Sequence, residues 1–297
     1  MQTIKQDNVE LCYEVLGENN KQNLILISGL GSQMIRWDAD FCAVLVQKGF
    51  RVIRFDNRDS GCSVFLSKQK EEYGNDIEKA FEKVKAKGAP YSLYDMATDV
   101  IALMDHLHID KAHIVGRSMG GIIAQLIGAD FPNRVLSLTI IMSTSLNPVL
   151  PPVAPDVMAM MTRKPVNPIA DKQGYIKDAL AFARRIGGTK YPLDENREIE
   201  LIENELKRSR SENGTLRQLL AMGTMVFDET KAKQITVPVV IIHGTDDPIF
   251  HPDCAVDLAR LIPHAKLLLM EGMGHAIPSE LYSYFGAVIA EQSKGIL

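Results

Sequence analysis

One stretch limits the fold of this chain more than any other: Ile114-Val115-Gly116-Arg117-Ser118-Met119-Gly120-Gly121. An apolar strand runs directly into a G-x-S-x-G pentapeptide, which opens an apolar helix. A serine on so sharp a strand-to-helix turn has a strained backbone and tightly packed neighbours, so the residues around it must lack bulk. Gly116 and Gly120 supply that room, and Gly121 lets the helix pack closely. The helix N-terminus brings unpaired backbone N–H groups beside the hydroxyl, where a developing oxyanion is stabilised. The stretch predicts a nucleophilic serine at the carboxyl end of a strand in an α/β sheet.

The remaining sequence repeats the same alternation. Val9–Val15 reads as an early strand, and Leu24–Ile27 as a compact buried strand that breaks at Ser28-Gly29-Leu30-Gly31. A helix near Phe41–Gln47 and a strand Arg51–Phe55 follow. Ser92-x-x-Asp95 forms a capping box that opens a helix with Leu93, Met96, Val100, Leu103, Met104 and Leu107 on its apolar side. Next come the strand His113–Val115, a helix from Ser118 to Ala129 and the strand Val135–Ile141. The rhythm stops there and resumes at Val237–Ile242, with a helix near Asp253–Leu261, the strand Lys266–Met270 and a helix after Pro278. Continuous apolar strands alternating with helices predict a mostly parallel central sheet with helices on both faces.

Between these halves the composition changes. Asn147–Pro168 holds six prolines together with Met158, Met160 and Met161, and is followed by the charged stretch Glu195–Arg210 and by Leu216–Phe227. Residues 147–230 are therefore expected to form a helical insertion, or cap, in an α/β core made of residues 1–146 and 231–297. An insertion at this place should roof the carboxyl ends of the strands. Its flexible thioethers, Met158, Met161, Met222 and Met225, together with Gly29 of the first turn, are the expected substrate-contacting residues for a bulky apolar ligand. The long segment Ser63–Tyr91 is expected to form a second wall, with Glu71–Lys87 as a solvated helix.

With 297 residues, the chain is long enough to bury one core without disulfides or metal. Its 33 basic and 37 acidic residues give a net charge of −4, spread along the chain without a basic stripe, which argues against nucleic acid or an anionic membrane as partner. Cys12, Cys42, Cys62 and Cys254 lie far apart and form no C-x-x-C pair, the pattern of free thiols in a reducing compartment. The N-terminal residues lack a secretory signal, and no apolar run reaches the ~18 residues of a membrane span. A cytoplasmic location and a small-molecule partner are the expectations; oligomeric state is not legible.

A serine hydroxyl needs a base, and the base needs an orienting acid. Both follow in the order Ser…Asp…His. Asp246 and Asp247 stand after the strand Val239–Ile242, and His275 stands in the Gly-rich loop after Leu267–Met270. Asp247, directly before Pro248, is the preferred acid, with Asp246 read as an Asx-turn residue. The oxyanion donors are expected to be the N–H groups of Met119 and Leu30. His106 and His108, two apart on a helix, point to different faces and make a poor metal pair, so no metal or cofactor is expected.

Taken together, these motifs resemble the α/β-hydrolase superfamily: the Gly29–Gly31 turn, Asp56-Asn57-Arg58-Asp59-Ser60-Gly61-Cys62-Ser63, the Ser118 turn, and the Asp247 and His275 loops. The resemblance covers almost the whole chain outside the insertion, and it implies a central sheet bearing a Ser-Asp-His triad. In such sequences the carboxylate just before the proline turns toward the histidine. Asp59 stands where glycine is usual, and Ser28 where many members have histidine. The Asp59 variant with Arg117 resembles the aclacinomycin-methylesterase-like group, whose neighbours include serine-dependent macrolide esterases. The resemblance implies hydrolysis of an ester on a bulky polyketide, with ring opening of a macrolide lactone (antibiotic inactivation) expected first. The alternatives are a methylesterase on an anthracycline-like polyketide, a C–C bond hydrolase, and a hydrolase-like ligand receptor.

Overall fold

The computed structural model describes residues 1–6, 8–66, 77–164, 166–208 and 213–295 of the chain. Nine strands among them form one sheet: β1 (Gln2–Gln6), β2 (Val9–Leu16), β3 (Gln22–Ile27), β4 (Phe50–Phe55), β5 (Val64–Phe65), β6 (Ala112–Arg117), β7 (Val135–Ile141), β8 (Val239–Gly244) and β9 (Lys266–Met270). Their order is β1-β2-β4-β3-β6-β7-β8-β9, with β5 paired to β2. From β4 to β9 every pairing is parallel, and the pairings made by β2 are antiparallel.

Side chains alternate between the two faces as a pleated strand requires. Ile25, Ile27, Ile114 and Ile140 enter one core, against α3 (Leu93–His106), α4 (Met119–Asp130) and α10 (Asp253–Leu261). Leu24, Leu26, Val115 and Ile141 enter the other, against α1 (Ala39–Gln47) and α11 (Tyr282–Ser293). The capping box predicted at Ser92 is formed with Asp95 in both directions. No helix among the described residues is long and apolar enough to cross a membrane.

Three elements differ from the sequence reading. β1 had no apolar signal because it is an edge strand with a single buried apolar residue, Ile4, and is paired along its length to β2. The charged run expected to be fully solvated forms α2 (Ile77–Lys87), which buries Ala80 and Val84 against Leu220, so one stripe of it is core. Residues 67–76 of the expected second wall lie outside the described residues. Between β7 and β8 come α5 (Pro155–Thr162), α6 (Lys172–Ile186), α7 (Glu195–Arg208), α8 (Gly214–Gly223) and α9 (Glu229–Lys233). α9 straddles the boundary expected at residue 230, and its Ala232 belongs to the larger core cluster.

Candidate active site

Ser118 lies between β6 and α4 with φ 54° and ψ −126°, a backbone shape that a side-chain-bearing residue adopts only under constraint from its surroundings. Its N–H donates to the Ile141 carbonyl, and its carbonyl accepts from Gly121 N–H and from the Ser143 hydroxyl. The glycines leave no slack. A Cβ on Gly116 would stand 2.1 Å from the Gly120 carbonyl oxygen, and one on Gly120 would stand 2.2 Å from that of Ile27. Any larger residue at either position must push the turn open.

The loops after β8 and β9 deliver the two partners to the same edge of the sheet. His275 Nε2 is 2.9 Å from Ser118 Oγ, and His275 Nδ1 is 2.7 Å from Asp247 Oδ2. A carboxylate only accepts, so the ring proton belongs on Nδ1, leaving Nε2 to accept the Ser118 hydroxyl proton. Asp247 is buried, and its second oxygen accepts the N–H groups of Ile249 and Phe250 at 2.8 and 2.9 Å. Burial by itself raises its carboxyl pKa. The charge of His275, with hydrogen bonds from His243 and His275, outweighs that effect and holds it well below the usual carboxylate range.

The Asx turn assigned in the sequence to Asp246 thus belongs to Asp247. Asp246 points away to Thr189, whose hydroxyl it accepts, and that bond lowers its pKa. His243, fully buried beneath the acid loop, donates Nε2–H to the Phe250 carbonyl at 2.7 Å and lies 3.4 Å from Asp247 Oδ2. The Phe250 ring meets His275 edge-on, with centroids 5.6 Å apart. His251 stays on the surface, facing Asp253.

The turn after β3 abuts the serine: a Cβ on Gly29 would lie 3.0 Å from Ser118 Cβ. Ser32 N–H closes the turn onto the Gly29 carbonyl, and Gly31 takes φ +65°, the left-handed shape that favours glycine. The N–H groups of Leu30 and of Met119, the first residue of α4, meet no acceptor among the described residues. Two unpaired donors thus flank Ser118 on the chain segments nearest to it. Of the methionines, Met222 and Met225 pack half-buried against the core cluster that also takes Leu30. Met158 on α5 is 42% exposed, and Met161 is half-buried.

Two contacts escaped the sequence reading because they join distant segments without any motif. The Ile186 carbonyl, at the end of α6, accepts the His275 N–H at 2.6 Å, and the Gly187 carbonyl accepts the Gly274 N–H. Gln218, on α8, bonds the Gly31 N–H. Away from the triad, Cys12, Asp56 and Cys62 bring ligand-type atoms within 4.8 Å of one another, a cluster that the spacing of the cysteines did not suggest. The Asp56 carboxylate is already occupied by Met34 N–H, Cys62 N–H and the Arg208 guanidinium. Burial pushes the Cys12 thiol up to about 12. A resident cation beside a protonated thiol makes this a structural cluster and a poor metal site.

Residues 22–280 match the alpha/beta hydrolase fold family. The chain is 29% identical to rhodomycin D methylesterase DauP of Streptomyces sp. (strain C5), over 98% of this chain and 97% of that relative. It is 24% identical to 3-oxoadipate enol-lactonase 2 of Acinetobacter baylyi, over 91% of this chain and 88% of that one. Among solved structures, the enol-lactonase from Burkholderia xenovorans LB400 superposes with a TM-score of 0.73 at 21% identity, over 99% of this chain and all of that one.

Proposed function

The chain belongs to the alpha/beta hydrolase fold family and is an ester hydrolase, and from that premise we propose that it demethylates the carboxylic methyl ester of a bulky polyketide-type substrate, with Ser118 as nucleophile. The observation that carries the chemistry is the hydrogen-bonded relay from Ser118 Oγ through His275 to Asp247, at 2.9 and 2.7 Å.

Ser118 Oγ attacks the ester carbonyl carbon as its proton passes to His275 Nε2. Asp247 keeps the imidazolium oriented and balances its charge. The carbonyl oxygen becomes an oxyanion between the Leu30 and Met119 N–H groups, donors that need no rearrangement as the charge develops. When the intermediate collapses, His275 returns the proton to the departing methoxy oxygen and methanol leaves. A water then gives its proton to His275 and attacks the acyl-enzyme, which releases the free acid and restores Ser118.

The methyl ester is favoured over the macrolide ring opening expected from sequence, because the methylesterase relative aligns over nearly the full length of both chains. Lactone opening stays as a second reading on the enol-lactonase relative alone. Met222 and Met225, half-buried against the same core cluster as Leu30, are the preferred contacts for the bulky part of the substrate. The test offers purified protein a polyketide methyl ester and a macrocyclic lactone and reads products by mass. Methanol release with formation of the free acid supports the proposal. Gain of one water without a second product, on the lactone alone, moves the reading to ring opening.

A further inference from the structure

The inserted helix α8 reaches the oxyanion turn through one side chain. Gly31 N–H donates to Gln218 Oε1 at 2.8 Å, and Gln218 Nε2 donates to the Arg58 carbonyl at 2.7 Å. Gln218 is fully buried, so both bonds lie out of water, where an unmade one costs about 1–3 kcal/mol. The two ends of one amide thus tie the turn after β3 to the turn after β4.

The neighbours of Gln218 hold the helix against the same two turns. Arg217 sends Nε and a terminal nitrogen to the two carboxylate oxygens of Asp59, at 2.7 and 2.8 Å. Thr215 stands against Gly31, where an added Cβ would lie 2.8 Å from its hydroxyl. At its two ends the oxyanion turn is held by Asn57, which donates to the Ser28 carbonyl at 2.9 Å, and by Ser60, which donates to the Ser32 carbonyl at 2.8 Å; its middle is held by Gln218. The Ser28 hydroxyl is buried with no partner, and the bond that closes the turn, Ser32 N–H to the Gly29 carbonyl, is long at 3.2 Å.

The Leu30 N–H belongs to the Gly29–Leu30 peptide, which is joined through the Leu30 Cα to the Leu30–Gly31 peptide whose N–H Gln218 holds. We propose that Gln218 is a positioning residue of the inserted helix: by pinning the Leu30–Gly31 peptide to Arg58 it fixes the chain just beyond Leu30 and so keeps the Leu30 N–H, one peptide earlier, aligned with the oxyanion position beside Ser118. This inference rests on the reading of Ser118 as nucleophile. It makes the rate of acylation depend on a residue about 100 positions away in sequence that touches neither substrate nor triad.

The test replaces Gln218 by methionine, similar in length but without an amide, and measures turnover of p-nitrophenyl acetate together with inhibition by phenylboronic acid. The boronate adduct of a nucleophilic serine places an oxygen in the oxyanion position and so reports on that position independently of turnover. Gln218→Met should lower kcat/KM about 10- to 100-fold, below the full loss of an oxyanion donor, and raise the boronate Ki by a similar factor, with KM within about threefold. Gln218→Asn keeps the amide one methylene short and should show a smaller joint change; it supplies the same readout if the methionine variant does not fold. A folded variant with unchanged kcat overturns the proposal. So does a loss of turnover with an unchanged boronate Ki, which leaves Gln218 a purely structural role. A wild-type protein that hydrolyses no ester, or a Ser118→Ala variant as active as wild type, overturns the nucleophile reading instead.

Discussion

His275 Nε2 stands 2.9 Å from Ser118 Oγ, although the two residues are 157 positions apart in sequence. They meet because the loops after β6 and β9 leave the same end of parallel strands, where ligands bind in open α/β sheets. Ser118→Ala and His275→Ala should each lower kcat/KM for an aryl ester by about 10³-fold or more, since members of such a relay act as a unit. The measurement is steady-state turnover by each purified, folded variant. Activity above a tenth of wild type in either one removes that residue from the mechanism.

The adjacent carboxylates should separate cleanly. Asp247→Asn leaves the geometry in place but puts an amide against His275 Nδ1, favouring the wrong tautomer; the expected loss in kcat is on the order of 10³- to 10⁴-fold. Asp246→Asn disturbs only exposed bonds to Thr189 and Thr245 and should stay within about threefold. Comparing the two variants on one substrate decides the matter, and the opposite ranking would put the orienting acid at position 246.

Below neutral pH a different histidine should set stability. His113 lies buried on β6, with Nδ1 2.8 Å from the Ser137 hydroxyl, and burial lowers its pKa from 6.5 to about 4. Between those values the unfolded chain binds a proton that the folded chain refuses. The stabilisation is therefore complete above about pH 6.5, declines as pH falls, and is gone near pH 4. Its size is on the order of 3 kcal/mol. His113→Phe should flatten the acid limb of a plot of urea-unfolding free energy against pH; an unchanged slope assigns the acid sensitivity to other groups.

Asp59, where glycine is usual in the resembling sequences, accepts φ +66° and pairs with buried Arg217. Asp59→Gly relieves the backbone but removes the carboxylate facing Arg217, and should destabilise by about 3 kcal/mol. Asp59→Gly combined with Arg217→Met should recover most of that loss, because neither charge is then buried. Denaturant midpoints of the two singles and the double form the cycle. Additive losses would mean that the pair contributes no coupling.

The sequence displayed the parts whose cause is local. The apolar runs of β3, β6, β7 and β8, the Ser92 capping box, the glycines around Ser118, and the order Ser118, Asp247, His275 all follow from short-range sterics or from strand ends. It hid what depends on the third dimension. β1 is held by its ladder to β2 and has no apolar pattern of its own. Ala80 and Val84 become core only because Leu220 arrives from the insertion. Gln218 and Ile186 carry no signature, since an amide or a backbone carbonyl acquires its task only from what it faces. Even the choice within Asp246-Asp247 turned on which carboxylate the Ile249 and Phe250 amides capture.

The hydrogen bond from the His275 N–H to the Ile186 carbonyl bears on how this enzyme could be rebuilt. The end of α6 is one side of the loop that carries His275, so the inserted helices are not an interchangeable module joined at two hinges. A graft that replaced residues 147–230 with a foreign insertion would keep every strand and still unseat His275, unless it brought a carbonyl to the place of Ile186. A large substrate would likewise have to enter without lifting the end of α6 from the His275 loop.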